Sequence, residues 1–345
     1  MITTDLVATP QADTLVRHDG RTSGEPVVLV HGNISSSVFW EETLLELPDG
    51  FRGLAPDLRG FGGSQALPID ATRGLRDFSD DLGCLFDALG LDRVHLVGWS
   101  MGGGVVMQHL IDHADQVASL TLVNPVSPYG FGGTRDVDGT LVSPDGAGSG
   151  GGTASPDFVR RLADHDADGD DPSSPRGVMR ALYFAAGPPA AREDELVASM
   201  LSTRTGDDFY PGDQVGSESW PHVAPGTRGV LNTMAPTYCD LSDIVQVSPR
   251  PPVLWVRGSD DLIVSDTSAL DLAVLGRSGA VPGWPGEEVA PPQPMLAQTR
   301  RVLDRYRASG GRYEEVVIDG AGHSPHVEKP EEFRERFFGF LAGLR

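Results

Sequence analysis

The chain has 345 residues, of which 39% are hydrophobic and 22% charged, and its formal net charge is −22. That length buries a full core and suits one large domain with an elaborated insertion, or two small ones. The acidic balance excludes nucleic acid, whose phosphates demand clustered Lys and Arg, and it excludes anionic membrane surfaces.

Met1-Ile2-Thr3-Thr4-Asp5 carries no basic segment leading into an apolar stretch, so the expected location is cytoplasmic. No apolar run approaches membrane-spanning length. Residues 13–18 fit a leading edge strand. Pro26-Val27-Val28-Leu29-Val30 is a short apolar run of the kind a buried parallel strand requires, and it ends in His31-Gly32-Asn33. An amphipathic stretch from Phe39 to Leu47 predicts a helix. Arg52 to Pro56 reads as a strand closed by Asp57-Leu58-Arg59-Gly60-Phe61-Gly62-Gly63-Ser64. Phe78, Leu82, Leu85, Phe86 and Leu89 recur at helical spacing over 76–90.

Val94-His95-Leu96-Val97-Gly98 is a further apolar run, followed by Trp99-Ser100-Met101-Gly102-Gly103 and a small-residue helix. This is a G-x-S-x-G pattern in strand–turn–helix context. A serine hydroxyl needs exposure at a sharp turn, a base and oxyanion donors to act as a nucleophile. Ser100 is the candidate. Val117 to Val123 makes another strand, completing the strand–helix alternation of a parallel sheet.

The rhythm breaks at Asn124. A Gly-rich stretch (146–152) lacks both a preceding strand and the Lys-Ser/Thr ending of a phosphate loop. Helical patterns follow near 157–164, 176–186 and 192–202. Residues 126–248 are therefore expected to be a mostly helical insertion, with 1–125 and 249–345 forming one core. Asp164-His165-Asp166-Ala167-Asp168-Gly169-Asp170 starts like a calcium loop, but its twelfth position is Pro175 where a bidentate Glu is required, so no metal site is expected. Sheet rhythm resumes at Pro252-Val253-Leu254-Trp255-Val256, a Pro-rich loop spans 276–294, and a helix is predicted at 295–309. The last strand is Tyr313 to Ile318, and the last helix covers 330–344. Cys84 and Cys239 are far apart and lack ligand spacing, which favours two free thiols in a reducing compartment over a disulfide.

Five motifs in order carry a resemblance to the α/β-hydrolase superfamily: His31-Gly32, Asp57-x-Arg59-Gly60-x-Gly62-x-Ser64, Gly98-x-Ser100-x-Gly102, Gly258-x-x-Asp261 and Gly322-His323. Four follow a predicted strand directly, at the carboxyl edge where open parallel sheets bind ligands. The resemblance implies an α/β fold with a twisted, mostly parallel sheet, and a cap over the active site formed by the insertion. It further implies Ser100 as nucleophile, His323 as base and Asp261 as acid, in the family's chain order. Asp260 would then be a turn residue and His326 a satisfied structural histidine. Asn124 stands where some relatives place the acid, and it cannot carry the charge.

The oxyanion donors implied are the backbone N–H groups of Asn33 and Met101. The Asn33 side chain either adds a donor or ties its own loop together. His31 is expected to hold the loop, and Asp57 and Arg59 to shape the turn. The His31-Gly32-Asn33 loop is similar to that of haloalkane dehalogenases, but these and the epoxide hydrolases of the fold use an aspartate nucleophile, which Ser100 replaces. Trp99, Tyr129, Phe131, Trp220, Met234, Tyr238 and Trp284 are candidates to line an apolar substrate pocket, as are the cap aromatics Tyr183 and Phe184.

The expected activity is hydrolysis of a neutral ester or lactone, with no cofactor, a small-molecule substrate as partner and a homodimer as the assembly to test. The same triad also serves carbon–carbon bond hydrolysis, perhydrolysis or acyl transfer, and the fold also serves as a ligand receptor.

Overall fold

The computed structural model describes residues 1–169 and 171–345. Its centre is an eight-stranded sheet of β1 (Thr3–Ala8), β2 (Asp13–His18), β3 (Glu25–Val30), β4 (Phe51–Pro56), β5 (Val94–Trp99), β6 (Val117–Val123), β7 (Val253–Gly258) and β8 (Tyr313–Ile318). The spatial order is β1-β2-β4-β3-β5-β6-β7-β8. Strand β2 pairs antiparallel with both β1 and β4, and every other pairing is parallel. Parallel strands covered on both faces read as continuous apolar runs, and all six residues of β5 are buried. The edge strand β1 escapes detection in the sequence because it is almost wholly exposed. Backbone pairing to β2 holds it, so it carries no burial pattern to detect.

The chain crosses from β3 to β4 on one side and then returns to β5 on the other. This reversal opens a crevice at the carboxyl ends of β3 and β5, where ligands bind in open α/β sheets. The helices of eight or more residues are α1 (Arg76–Leu89), α2 (Met101–Asp112), α3 (Pro156–Ala163), α4 (Glu193–Leu201), α5 (Met295–Ala308) and α6 (Pro330–Ala342). Helix α1 buries Phe78, Leu82, Leu85 and Phe86 and ends at Gly90, whose left-handed backbone (φ 63°) lets Leu91 N–H bond to Phe86 O at 2.9 Å. The helix expected over 39–47 is a short 3-10 turn, Ser37–Trp40, followed by Glu41–Leu45. Among the described residues no helix is long and apolar enough to cross a membrane.

Helices dominate the regular structure of the 126–248 insertion. Besides α3 and α4 it contains Pro175–Val178, a π-helical turn over Met179–Tyr183 and Val230–Thr233. It also holds two small ribbons that the sequence did not predict, Thr205–Gly206 with Tyr210–Pro211 and Gln214–Gly216 with Val223–Pro225. Strands this short show no periodicity. The insertion is tied to the loops after β3 and β4. Arg192 reaches Glu41 at 2.9 Å and Val38 O at 3.1 Å, Ser199 Oγ meets Ser36 Oγ at 2.6 Å, and Arg204 N–H donates to Gly60 O at 2.8 Å.

In the acidic 164–169 stretch, arginines occupy the carboxylates: Arg160 binds Asp164 at 3.1 Å and Arg161 binds Asp166 at 2.6 Å. Asp170 lies outside the described residues. Cys84 and Cys239 are free thiols, and burial pushes the Cys239 thiol pKa up to about 12.

Candidate active site

Ser100 sits between β5 and α2 with φ 57° and ψ −122°, a conformation with positive φ that is uncommon for a residue with a side chain. Three contacts hold the turn: Ser100 N–H to Val123 O at 3.0 Å, Gly103 N–H to Ser100 O at 2.9 Å and Val126 N–H to Ser100 O at 3.0 Å. The flanking glycines are required sterically. A Cβ on Gly98 would lie 2.3 Å from Gly102 O, and one on Gly102 would lie 2.5 Å from the carbonyls of Val30 and His31. The result is a half-buried serine at the tip of the sheet.

Behind it, His323 Nδ1 lies 2.9 Å and 3.1 Å from the two carboxylate oxygens of Asp261. Both side chains are almost fully buried. Asp261 Oδ1 also accepts the N–H groups of Ile263 (2.8 Å) and Val264 (3.1 Å), which fixes the carboxylate. The neighbouring Asp260 is exposed, and among the described residues its carboxylate bonds only to Ser259 Oγ. No hydrogen bond joins Ser100 Oγ to His323 among the described residues. Such nucleophile–base contacts are often long in unliganded sites and tighten when substrate binds.

The loop after β3 passes beside the nucleophile: a Cβ on Gly32 would lie 2.9 Å from Ser100 Cβ. The Asn33 and Met101 backbone N–H groups have no hydrogen-bond partner among the described residues, so both remain open as oxyanion donors. Among the described residues the Asn33 side-chain amide makes no hydrogen bond, and its Oδ1 is buried without a partner; it does not tie the loop. His31 does. Its Nε2 accepts Leu58 N–H at 2.9 Å and its Nδ1 donates to Gly32 O at 2.8 Å, and burial lowers its pKa. Asp57 accepts the N–H groups of Ser37 and Gly63, both at 2.8 Å, while Arg59 grips Asp81 through two contacts of 2.6 Å.

The structure corrects two expectations. Trp99 is fully buried, with its indole N–H bonded to His323 O at 2.7 Å and its ring stacked on Phe39 at 5.0 Å. It is a platform under the histidine and offers no surface to a substrate. His326 is buried as expected but is not satisfied. Neither ring nitrogen has a partner, and the ring lies against Trp40 (4.1 Å between centroids), Trp99 (5.0 Å) and Phe333 (5.9 Å). Burial, with His323 nearby, holds its pKa well below the usual range.

The other candidate lining residues fall into separate places. Phe131 N–H donates to Met234 O at 2.8 Å, pairing those two segments. Tyr129 packs on Gly139, and its phenol lies near Asp240 and Ser242. Trp220 and Trp284 meet on Gly276, where a Cβ would lie 2.9 Å and 2.8 Å from them. Tyr238 has its carbonyl against Gly74. None of these makes a ring contact or hydrogen bond with Ser100, Asp261 or His323 among the described residues.

Three residues have positioning roles that the sequence did not assign to them. Asn124, with φ 39°, donates through Nδ2 to His323 O (2.8 Å) and Gly322 O (3.0 Å) and accepts Gly258 N–H at 3.1 Å, so it clamps the histidine loop to β7. Glu328 accepts Gly322 N–H and Ala186 N–H, each at 2.7 Å, joining that loop to the insertion. Tyr183 packs against Trp99 and His323, at 5.8 Å and 6.1 Å, and its hydroxyl donates to Asn33 O (3.2 Å) and Ile34 O (3.3 Å). Its aromatic character in the insertion was a signal, but its partners lie about 150 residues away. Ile34, Ser100 and Asn124, at the carboxyl ends of β3, β5 and β6, are three of the five described non-Gly residues with positive φ. Strain of this kind collects at functional sites.

Residues 25–168 match the α/β-hydrolase fold family. The chain is 26% identical to epoxide hydrolase A of Mycobacterium tuberculosis over 343 residues, covering 93% of each chain. It is 30% identical to a 2-hydroxy-6-oxo-6-phenylhexa-2,4-dienoate hydrolase of Comamonas testosteroni over 118 residues, covering 33% of this chain and 41% of that relative. An esterase structure from Exiguobacterium antarcticum superposes with a TM-score of 0.61 at 17% identity, covering 99% of this chain and 100% of the other, a likeness of fold. The sheet order, the strand-end turns and these similarities together give the chain an α/β-hydrolase fold, and the relatives it resembles include hydrolases and esterases.

Proposed function

We propose that the protein hydrolyses carboxylic esters or lactones of neutral, moderately apolar small molecules through an acyl-enzyme on Ser100. The observation that carries this reading is the Asp261–His323 pair, buried and bonded through both carboxylate oxygens, next to a serine in a positive-φ turn. Ser100 Oγ attacks the carbonyl carbon while His323 Nε2 takes its proton. Asp261 holds the ring tautomer and stabilises the imidazolium. The Asn33 and Met101 N–H groups receive the oxyanion. Collapse expels the alkoxide, which takes the proton from His323, and water activated by the same ring then releases the acid.

The epoxide hydrolase similarity does not transfer as chemistry. Attack of a serine oxygen on an epoxide would leave an ether, which this triad has no means of hydrolysing, whereas attack on an ester leaves an ester. Carbon–carbon bond hydrolysis of a diketone is the second reading, favoured by the similarity to the dienoate hydrolase.

Intact-mass spectrometry after fluorophosphonate treatment tests the nucleophile. One adduct is expected on the native chain and none on Ser100→Ala or His323→Ala, with ester turnover lowered by at least about 10³-fold in both variants. An unmodified native protein would overturn the reading. A panel of chromogenic esters, lactones and vinylogous diketones then separates the two reactions.

A further inference from the structure

A second cleft, of about 330 Å³, lies at the seam between the turn after β4 and the insertion. Ser100, Asp261 and His323 line no part of it. Its two walls are pinned to each other, by Arg204 N–H to Gly60 O at 2.8 Å and by Gly62 N–H to Ser202 Oγ at 3.1 Å. The opening between them is therefore a built feature of the seam.

Several side chains that line this cleft carry hydrogen-bond donors. Arg204 and His165 both line it and are exposed, and neither side chain has a hydrogen bond or ion pair with any described residue. The Thr205 hydroxyl is equally unengaged. Three carboxylates near these residues in sequence are engaged by other arginines. Asp164 is bound by Arg160 at 3.1 Å, Asp166 by Arg161 at 2.6 Å and Asp208 by Arg228 at 2.5 Å. Arg204 thus keeps its charge available in a chain with 49 acidic against 27 basic residues. His165 has φ 54°, an uncommon backbone conformation for a residue with a side chain. Ala66 and Ala163 add small apolar surfaces to the walls.

We propose that this cleft binds a small anion, a carboxylate or phosphoryl group on a short apolar body, with Arg204 as the principal anchor and His165 and Thr205 as further donors. A planar guanidinium presents paired N–H groups that match two oxygens of either anion. The net negative charge opposes such ligands only at long range, where salt screens it. The site is independent of the triad chemistry.

Calorimetric titration of the full chain at low ionic strength, with inorganic phosphate and with butyrate as probes, tests the site. A single saturable site with a Kd of ~1 mM or tighter is expected for at least one probe. Arg204→Gln should weaken it at least about tenfold, the scale of a hydrogen bond to a charged group, and His165→Asn about threefold, the scale of an ordinary hydrogen bond, with ester turnover unchanged in both variants. Ser100→Ala should bind as the native chain does. Tighter phosphate binding would identify a phosphoryl ligand and tighter butyrate binding a carboxylate. No saturation with either probe, binding unaffected by both substitutions, or binding lost in Ser100→Ala would each overturn the proposal.

Discussion

Tyr183 shows how single atoms tie the insertion to the chemistry. Its ring fills the space between Phe39, Trp99 and His323, while its hydroxyl bonds to two carbonyls of the loop that carries the Asn33 N–H. One of those carbonyls belongs to Ile34, a β-branched residue at φ 50°. A β-branched side chain there is strained, and the surrounding contacts must hold it. Tyr183→Phe keeps the ring and removes only the donor. A hydrogen bond of this kind contributes about 1 kcal/mol, so kcat for an ester substrate should fall roughly fivefold, with KM and the melting temperature little changed. Steady-state kinetics on a chromogenic ester would show this, and an unaltered kcat would mean that the loop holds its shape without Tyr183.

The turn joining β5 to α2 is constrained as an element, because three backbones meet within it. A methyl group on Gly102 would lie 2.5 Å from the carbonyl oxygens of Val30 and His31, backbone atoms that must shift to admit it. Gly102→Ala is therefore expected to cost roughly 2–4 kcal/mol through overpacking. Gly90 gives the contrast. It ends α1 at φ 63°, and a methyl group added there would meet nothing within 4 Å, so Gly90→Ala should cost only about 1 kcal/mol, from backbone conformation alone. Urea unfolding midpoints of the two variants would separate crowding from conformation. Equal losses would show that the turn relaxes.

At the scale of the whole molecule, buried histidines make stability depend on pH. Burial holds the His109 pKa down to about 4, with His113 alongside, and burial also lowers His31, His95 and His326. The unfolded chain takes up a proton at His109 below about pH 6.5, whereas the folded chain resists until about 4. The depressed folded value means that stability present above pH 6.5 is lost progressively as pH falls towards 4, then levels off. At pH 5 the loss from His109 alone is about 2 kcal/mol. Urea midpoints at pH 7 and pH 5 should differ less in His109→Asn than in the native chain, whatever the variant's stability at pH 7. An identical pH slope would show that His109 titrates normally.

Features set by neighbours in sequence were legible without coordinates. The strands at 117–123 and 313–318 and the helix at 76–90 follow from local apolar runs or helical spacing, whose physics lies within a few residues, whereas Asp261 and His323 were implied by motifs resembling those of the α/β-hydrolase superfamily. The edge strand β1 was missed because nothing buries it. What Trp99, Asn124, Tyr183, Glu328 and His326 do could not be read in the same way. Trp99 meets His323 across 224 positions and Asn124 meets it across 199, and a hydrogen bond depends on distances that only the folded sheet and its insertion bring to about 3 Å. Local sequence therefore determined the strands, the helices and the strand-end turns, and long-range packing decided which side chains meet Ser100, Asp261 and His323.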